Sequence, residues 1–315
     1  MARLLFLCLI LLGSCSSLQK WAVRRSSPVF DKAADQLTKE DSWAFFQHSA
    51  PANLKFIEMV YLTDPDNLNL LPAVIKAYAG YAFAVPESMA LHHELKGDNE
   101  TYPKEQAIRF YTRALDYGTF FLEKRGVSKN DLLNLEEEKL TKKLKDEIDE
   151  DDLVALLYFA QSWGSLINLQ KDNVALVSQV PRVKILFDHV CGMNPKIEHN
   201  ICEIFFAQYE ASRPRMLGGN PEKARELYLK AIADHPQHLL MRLSYIQYSL
   251  IPAMDEEAYN KEAEILRKEF ADWESMKRDN LEDESPYKKH RELNLYNAIA
   301  KKRFEIIELN KKKIF

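Results

Sequence analysis

The sequence predicts an all-α fold of helical hairpins, and three observations support this prediction. Its 315 residues include only nine glycines and 13 prolines, well below the roughly 12% that these two residues make up in an average protein. Apolar residues recur every three or four positions along most of the chain, as they do in amphipathic helices. Leucine is abundant while valine, isoleucine and threonine are modest, which favours helices over strands.

The first fifteen residues are typical of an export and lipidation signal. Residues 4–12 are apolar, too short a run to cross a bilayer. Small residues then precede Cys15, which resembles the lipobox of bacterial lipoproteins; the alternative is an ordinary secretory signal in which Cys15 is incidental. We predict a signal peptide over residues 1–14, lipid attachment at Cys15 and a periplasmic protein. The outer membrane is favoured over the inner because Ser16 follows the cysteine.

Beyond Cys15 we divide the chain into a tether with a first helix over residues 15–50 and a tetratricopeptide-like helical domain over residues 51–315. The first helix is expected near Phe30–Phe46, and small residues in Leu71–Val85 predict a helix that approaches its neighbour closely. The charged block Glu136–Asp152 is expected to be a solvated helix with oppositely charged neighbours four residues apart. The other predicted helices are Lys104–Lys124, Asp152–Leu169, Val180–Cys191, Pro195–Ser212, Pro221–Ala233, His238–Leu250, Glu256–Phe270 and Tyr287–Leu309.

Three segments have the spacing of the second helix of a tetratricopeptide unit: a small residue, an aromatic residue four positions later, and a small residue three after that, with valines in the small positions of one segment. Small residues let two helices lie close, and the ring fills the gap to the next unit. The segments are Ala107–Tyr111–Ala114, Val183–Phe187–Val190 and Ala224–Tyr228–Ala231. They predict stacked tetratricopeptide-like hairpins in an α-solenoid; a simple bundle of hairpins is the alternative.

The composition also excludes several functions. With 43 basic and 47 acidic residues the net charge is −4, so we expect no nucleic-acid partner. No glycine-rich phosphate loop or G-x-S-x-G elbow occurs, and we expect no enzyme and no cofactor. His189, Cys191, His199 and Cys202 have no recognised zinc spacing, so no metal is expected. For the two cysteines, buried free thiols are favoured over a disulfide, which the compartment would permit.

Several motifs resemble those of the T-component family of tripartite ATP-independent periplasmic (TRAP) transporters, which are tetratricopeptide lipoproteins. The likeness runs from about residue 50 to the last residue, and the Gly-Gly segment with its preceding Arg-Pro is its most specific part. The motifs are Gly80–Ala84, Tyr111–Gly118, Leu157–Gly164, Leu169–Asp172, Arg213-Pro214, Gly218–Arg225 and Leu295–Arg303, together with Phe315.

The resemblance implies a non-enzymatic accessory lipoprotein that binds the solute-binding P component of a TRAP system and allows assembly as a homotrimer. A hydrophobic or amphipathic small molecule is the implied ligand. The alternative is a tetratricopeptide lipoprotein that serves as a scaffold for outer-membrane or secretion assembly.

The candidate ligand- or partner-binding residues come from these motifs. Phe159 and Trp163 share one helical stripe, which either packs in the core or forms an aromatic wall along a ligand channel. Arginines in such motifs either pair with carboxylates or contact a ligand. The Gly-Gly pair precedes a helix, where capping is favoured over anion binding. The candidates are Tyr81, Arg113, Phe159, Trp163, Lys171, Asp172, Arg213, Gly218 and Gly219.

Overall fold

A computed structural model describes residues 36–278 and 286–315, and their regular structure is entirely helical. This confirms the predicted all-α helical-repeat class. The signal peptide and Cys15 lie outside the described residues and stay predictions. The helices are α1 (Trp43–Thr63), α2 (Leu71–Ala84), α3 (Pro86–Lys96), α4 (Tyr102–Lys124), α5 (Lys129–Asn134), α6 (Glu137–Glu147), α7 (Leu153–Leu169), α8 (Val174–Val177), α9 (Val180–Met193), α10 (Ile197–Ala211), α11 (Pro221–Asp234), α12 (Leu239–Tyr245), α13 (Glu256–Arg278), α14 (Pro286–Lys289) and α15 (Asn294–Ile314).

Helix α1 begins later than the expected first helix. It begins at Trp43, where the Ser42 side chain accepts a hydrogen bond from the Phe45 amide, and it continues through Pro51. Of the expected helix near Phe30–Phe46, residues 30–35 lie outside the described residues, and residues 38–42 are not helical. A proline inside a helix removes one backbone hydrogen bond, but α1 buries a full face against α2, and this packing outweighs the loss.

The small–aromatic–small pattern correctly identified which helical faces are buried. All nine of its positions are buried, with Tyr111 and Tyr228 fully enclosed. The helices that carry the pattern pack on the helices before them: α4 on α2 and α3, α9 on α7, and α11 on α10. The buried face of each of these helices is therefore the one that carries the pattern.

The charged block is not simply solvated. Within it, Leu140 and Leu144 of α6 are fully buried, and α6 packs against α9. Lys143 pairs with Asp131 at 2.7 Å, on the preceding helix. The expected solvated helix therefore has a buried side as well, because the two leucines give α6 an apolar stripe that the charge pattern hides.

The prediction of two free thiols was also wrong. Cys191 at the end of α9 and Cys202 in α10 form a disulfide, with their Cα atoms 5.9 Å apart. Between them Glu198, His199 and Asn200 have φ values of +45°, +58° and +66°. Left-handed backbone costs non-glycine residues roughly 1–2 kcal/mol each. The two cysteines were expected on successive helices, but this left-handed turn, which no glycine announces, was not foreseen.

Two large hydrophobic cores organise the chain. The first is formed mainly by α1, α2, α4–α7 and α9, and the second mainly by α10–α13 and α15. The last helix, α15, returns to pack against α3, so the end of the chain contacts its first third. The helical run Leu68–Lys96 is long and apolar enough to span a membrane, yet just over half of its most apolar window is buried inside the protein. The first core explains this apolar character.

Candidate functional site

A cavity of about 1090 Å³ lies between the two cores. Residues of both cores form its wall, among them Leu157 and Val183 from the first and Ile204 and Leu240 from the second. Most of the wall is apolar. Pockets that bury small organic ligands usually measure about 300–1,000 Å³ and have mainly apolar linings with a few placed polar groups, so this cavity has the size and character of a ligand site.

Four polar residues from four different helices meet in the cavity wall; we call them the Glu198 cluster. They are Lys76 of α2, Tyr158 of α7, Glu198 of α10 and Tyr296 of α15. The Lys76 ammonium donates to Glu198 Oε1 at 2.6 Å. The hydroxyls of Tyr158 and Tyr296 donate to Glu198 Oε2 at 2.7 Å and 3.3 Å. The carboxylate is therefore well satisfied by protein donors.

The cluster holds its groups in defined protonation states. Burial alone would raise the pKa of Glu198, but the nearby Lys76 charge and the hydrogen bonds from Lys76 and Tyr158 outweigh it and lower that pKa. Burial and the adjacent carboxylate raise the pKa of Tyr158 well above its ordinary value. Glu198 is thus a carboxylate and Tyr158 a neutral donor at neutral pH.

Glu198 lines the cavity from within a left-handed turn. A right-handed helix would continue the register of α10, whereas the turn at residues 198–200 interrupts it. The Cys191–Cys202 disulfide joins the two segments that flank the turn. Strained backbone of this kind is found preferentially at functional sites.

Three of the sequence-predicted residues line the cavity: Tyr81, Lys171 and Arg213. The Tyr81 ring contacts the Phe110 ring edge-on at 5.0 Å, and burial raises the pKa of Tyr81. Lys171 is exposed and pairs with Glu94 at 3.3 Å. The Arg213 guanidinium lies 3.7 Å over the centre of the Tyr209 ring.

The other candidates lie away from the cavity wall. Phe159 and Trp163 are in the first hydrophobic core, where Trp163 Nε1 donates to Gln179 at 2.9 Å. A side chain at Gly118 would come within 2.5 Å of the Phe159 ring, so this aromatic pair packs tightly. Arg113 pairs with the buried Glu58 at 2.7 Å, as expected of a structural arginine.

The Gly-Gly segment forms a tight turn and helix cap. Gly218 has φ +82°, and a side chain at Gly219 would come within 1.8 Å of the Arg213 carbonyl oxygen. Asn220 then caps α11 by accepting from the Lys223 amide at 3.0 Å, as the sequence predicted. The candidates Gly218, Gly219 and the exposed Asp172 are not part of the cavity wall.

Sequence reasoning missed the Glu198 cluster. One signal was available: Lys76 is the single charged residue of α2, which is otherwise apolar apart from its tyrosines. Glu198 gave no signal, because its position depends on a turn formed without glycine. Tyr158 and Tyr296 lie within motifs that carried the family resemblance.

Comparison with known proteins shows which family this chain resembles. Residues 39–315 match the family model of the TRAP transporter T-component. The chain belongs to this family. A protein of Treponema pallidum (strain Nichols), described as an uncharacterized protein, is 24% identical to this T component over 196 residues. The match covers 61% of this chain and 59% of that relative, so the chain spans less than two thirds of the relative's length. The family consists of the T components of TRAP transporters.

Proposed function

We propose that this T component is a lipid-anchored, non-enzymatic periplasmic protein that binds the solute-binding P component and holds a hydrophobic or amphipathic small molecule in its cavity. The observation that carries the proposal is the cavity of about 1090 Å³ with its mainly apolar wall. A cavity of this kind shields an apolar ligand from water, and burial of apolar surface supplies the binding free energy.

Exposed apolar side chains at the cavity opening support docking of the P component there. Leu37, Phe56 and Val174 line the cavity and are also exposed to solvent. Apolar residues that surround an opening favour a protein partner, and a P component docked at this rim would receive the ligand without exposing it to water.

A cavity-filling substitution tests ligand binding. Gly80 lines the cavity and has open space where a Cβ would lie, so Gly80→Phe should place a ring inside it. Gly192 has equal space around it but is not part of the cavity wall, so Gly192→Phe is the matched control. Binding of the neutral fluorescent probe N-phenyl-naphthylamine should weaken about tenfold or more in Gly80→Phe, since the ring occupies space that apolar ligand atoms need. Equal binding by both variants would contradict the proposal.

Co-purification tests the partner surface. Phe56→Asp puts a charge on the rim, whereas Leu309→Asp puts one on an exposed apolar position of α15 away from the cavity. The P component should be lost from Phe56→Asp preparations and retained by Leu309→Asp. Retention by both variants would place the docking surface elsewhere.

Anchoring and assembly have separate tests. Wild type should enter the detergent phase on detergent partitioning and Cys15→Ala should stay in the aqueous phase, because lipid attachment requires that cysteine. A homotrimer is part of the proposal, and light scattering on the purified Cys15→Ala protein measures it directly. If wild type stays in the aqueous phase, the proposed lipid anchor is overturned. If light scattering shows a monomer, the proposed homotrimer is overturned.

A further inference from the structure

The Glu198 cluster is more than a structural ion pair in the cavity wall. We propose that it is a head-group site, at which Lys76 binds an oxygen acceptor, a carboxylate or an ester, on an amphiphile whose apolar chain fills the rest of the cavity. This inference rests on the proposed ligand-binding function and specifies the class of ligand.

Lys76 has hydrogen-bonding capacity that the protein does not use. An ammonium group has three N–H donors, and among the described residues Glu198 is the acceptor that Lys76 contacts. Its charge also lies 5.6 Å over the Tyr158 ring. The side chain is 18% exposed and lines the cavity. Two N–H donors are therefore available for oxygen atoms of a ligand.

Glu198 itself is not available to a ligand. Three protein donors occupy its oxygens, and its side chain is only 11% exposed. Its function in the site is to neutralise and orient the Lys76 ammonium. The left-handed backbone of residues 198–200 fits this function, because in this conformation the Glu198 carboxylate lies beside the Lys76 ammonium.

A cationic head group would meet the Lys76 ammonium, and like charges disfavour a bound cation, which is a source of specificity. The other cationic side chains of the lining are paired with carboxylates: Lys171 with Glu94, Arg213 with Glu210 and Arg303 with Glu87. The selection against a cation therefore depends on Lys76, since protein donors occupy the oxygens of Glu198.

Three amphiphiles with the same chain test the head-group site. Dodecanoate, methyl dodecanoate and dodecylammonium would each displace N-phenyl-naphthylamine from the purified full chain, and they differ only at the head. We expect the two acceptor-bearing amphiphiles to compete about tenfold more strongly than dodecylammonium, the effect of one hydrogen bond to a charged group. Comparison of dodecanoate with methyl dodecanoate shows whether a negative charge on the head group strengthens binding beyond that of an uncharged acceptor.

The double variant Lys76→Met/Glu198→Gln removes the site without leaving an unpaired charge. Met is unbranched like Lys and one heavy atom shorter, and the Gln carbonyl still accepts from Tyr158 and Tyr296, so folding should be preserved. In this variant the preference of the acceptor-bearing amphiphiles over dodecylammonium should fall to within about twofold. Because all three amphiphiles displace the same probe, this ratio does not depend on the variant's own affinity for the probe. Lys312→Met, an exposed change near the C-terminus, is the control.

The outcomes separate the two proposals. If the neutral probe fails to bind wild type, or binds Gly80→Phe equally well, the proposed function fails. If the probe binds the cavity but wild type shows no preference among head groups, only the head-group site fails. A preference that persists in the double variant would likewise overturn the assignment to Lys76.

Discussion

Two ion pairs line the same cavity and differ in how fully the protein satisfies them. Arg303 of α15 pairs with Glu87 of α3, and these side chains are 1% and 9% exposed. Lys76 pairs with Glu198, and these are 18% and 11% exposed. The first pair lies on regular helices, whereas the second depends on a left-handed turn.

Arg303 uses its donors within the protein. It donates to the Ser88 hydroxyl at 2.9 Å, to the Phe83 carbonyl at 2.6 Å and to Glu87 at 3.1 Å. Its guanidinium lies 4.0 Å over the Phe83 ring, and Glu87 accepts a further hydrogen bond from Tyr111. Lys76, by comparison, has one acceptor among the described residues. The comparison shows that a saturated pair holds helices together, while an unsaturated pair in the same wall leaves donors for a ligand.

The largest effect is expected from Arg303→Met. It leaves the buried Glu87 carboxylate and the Phe83 carbonyl without their partner, and removal of one member of a buried pair costs roughly 3–5 kcal/mol. Urea unfolding measures the loss, with Lys312→Met as an exposed control expected within about 0.5 kcal/mol of wild type. A loss at Arg303 no larger than the control's would mean that the pair does not hold α15 to α3.

Tyr228 extends the comparison to a buried polar group without a partner. Its ring is fully buried, and among the described residues its hydroxyl has no hydrogen-bond partner. Tyr228→Ala should cost about 3–4 kcal/mol through the cavity that it creates. Tyr228→Phe should be neutral or stabilising by up to about 1 kcal/mol, since it removes an unsatisfied group. A Phe variant less stable by more than that amount would reveal a partner for the hydroxyl.

Acid should abolish the contribution of the Lys76–Glu198 pair. The pKa of Glu198 is lowered in the folded protein, so the pair stabilises the fold above the ordinary glutamate value and this contribution is lost as pH falls through the lowered pKa. Lys76→Met should cost about 2 kcal/mol at neutral pH, and in that variant burial favours the protonated acid. Urea unfolding at several pH values should therefore show the two proteins converge on acidification. A gap that stays constant with pH would contradict the pairing.

The smallest effect concerns the left-handed turn. Asn200→Gly should stabilise the protein by up to about 1 kcal/mol, because glycine adopts positive φ without steric cost. The matched change Asn260→Gly, on the exposed side of α13, should destabilise by about 1 kcal/mol, the usual cost of glycine in a helix interior. Opposite signs in thermal unfolding support a strained turn; equal signs would place residue 200 in ordinary helix.

Much of the fold could be predicted because it depends on local periodicity. The predicted helices Val180–Cys191 and Pro221–Ala233 end within two residues of α9 and α11, and the positions of Tyr111 and Tyr228 identified buried faces. Such positions follow from helical geometry and side-chain size, which a sequence displays directly.

The site could not be predicted in the same way. Lys76 and Glu198 lie 122 residues apart in the sequence, and the turn that contains Glu198 has no glycine to mark it. The aromatic stripe of Phe159 and Trp163 attracted attention because of its composition, yet neither residue lines the cavity, whereas Tyr158 and Gly164 beside them do. A rotation of the helix by one residue decides which side chains face the cavity, and periodicity alone does not fix that rotation.

A crystal structure with a bromine-labelled ester amphiphile tests the central claim most directly. The bromine on the end of the chain gives an anomalous signal that locates the apolar part independently of the head. We predict bromine density inside the cavity and an ester oxygen about 3 Å from Lys76 Nζ. Bromine density outside the cavity, or a chain bound there with its head away from Lys76, would contradict the account.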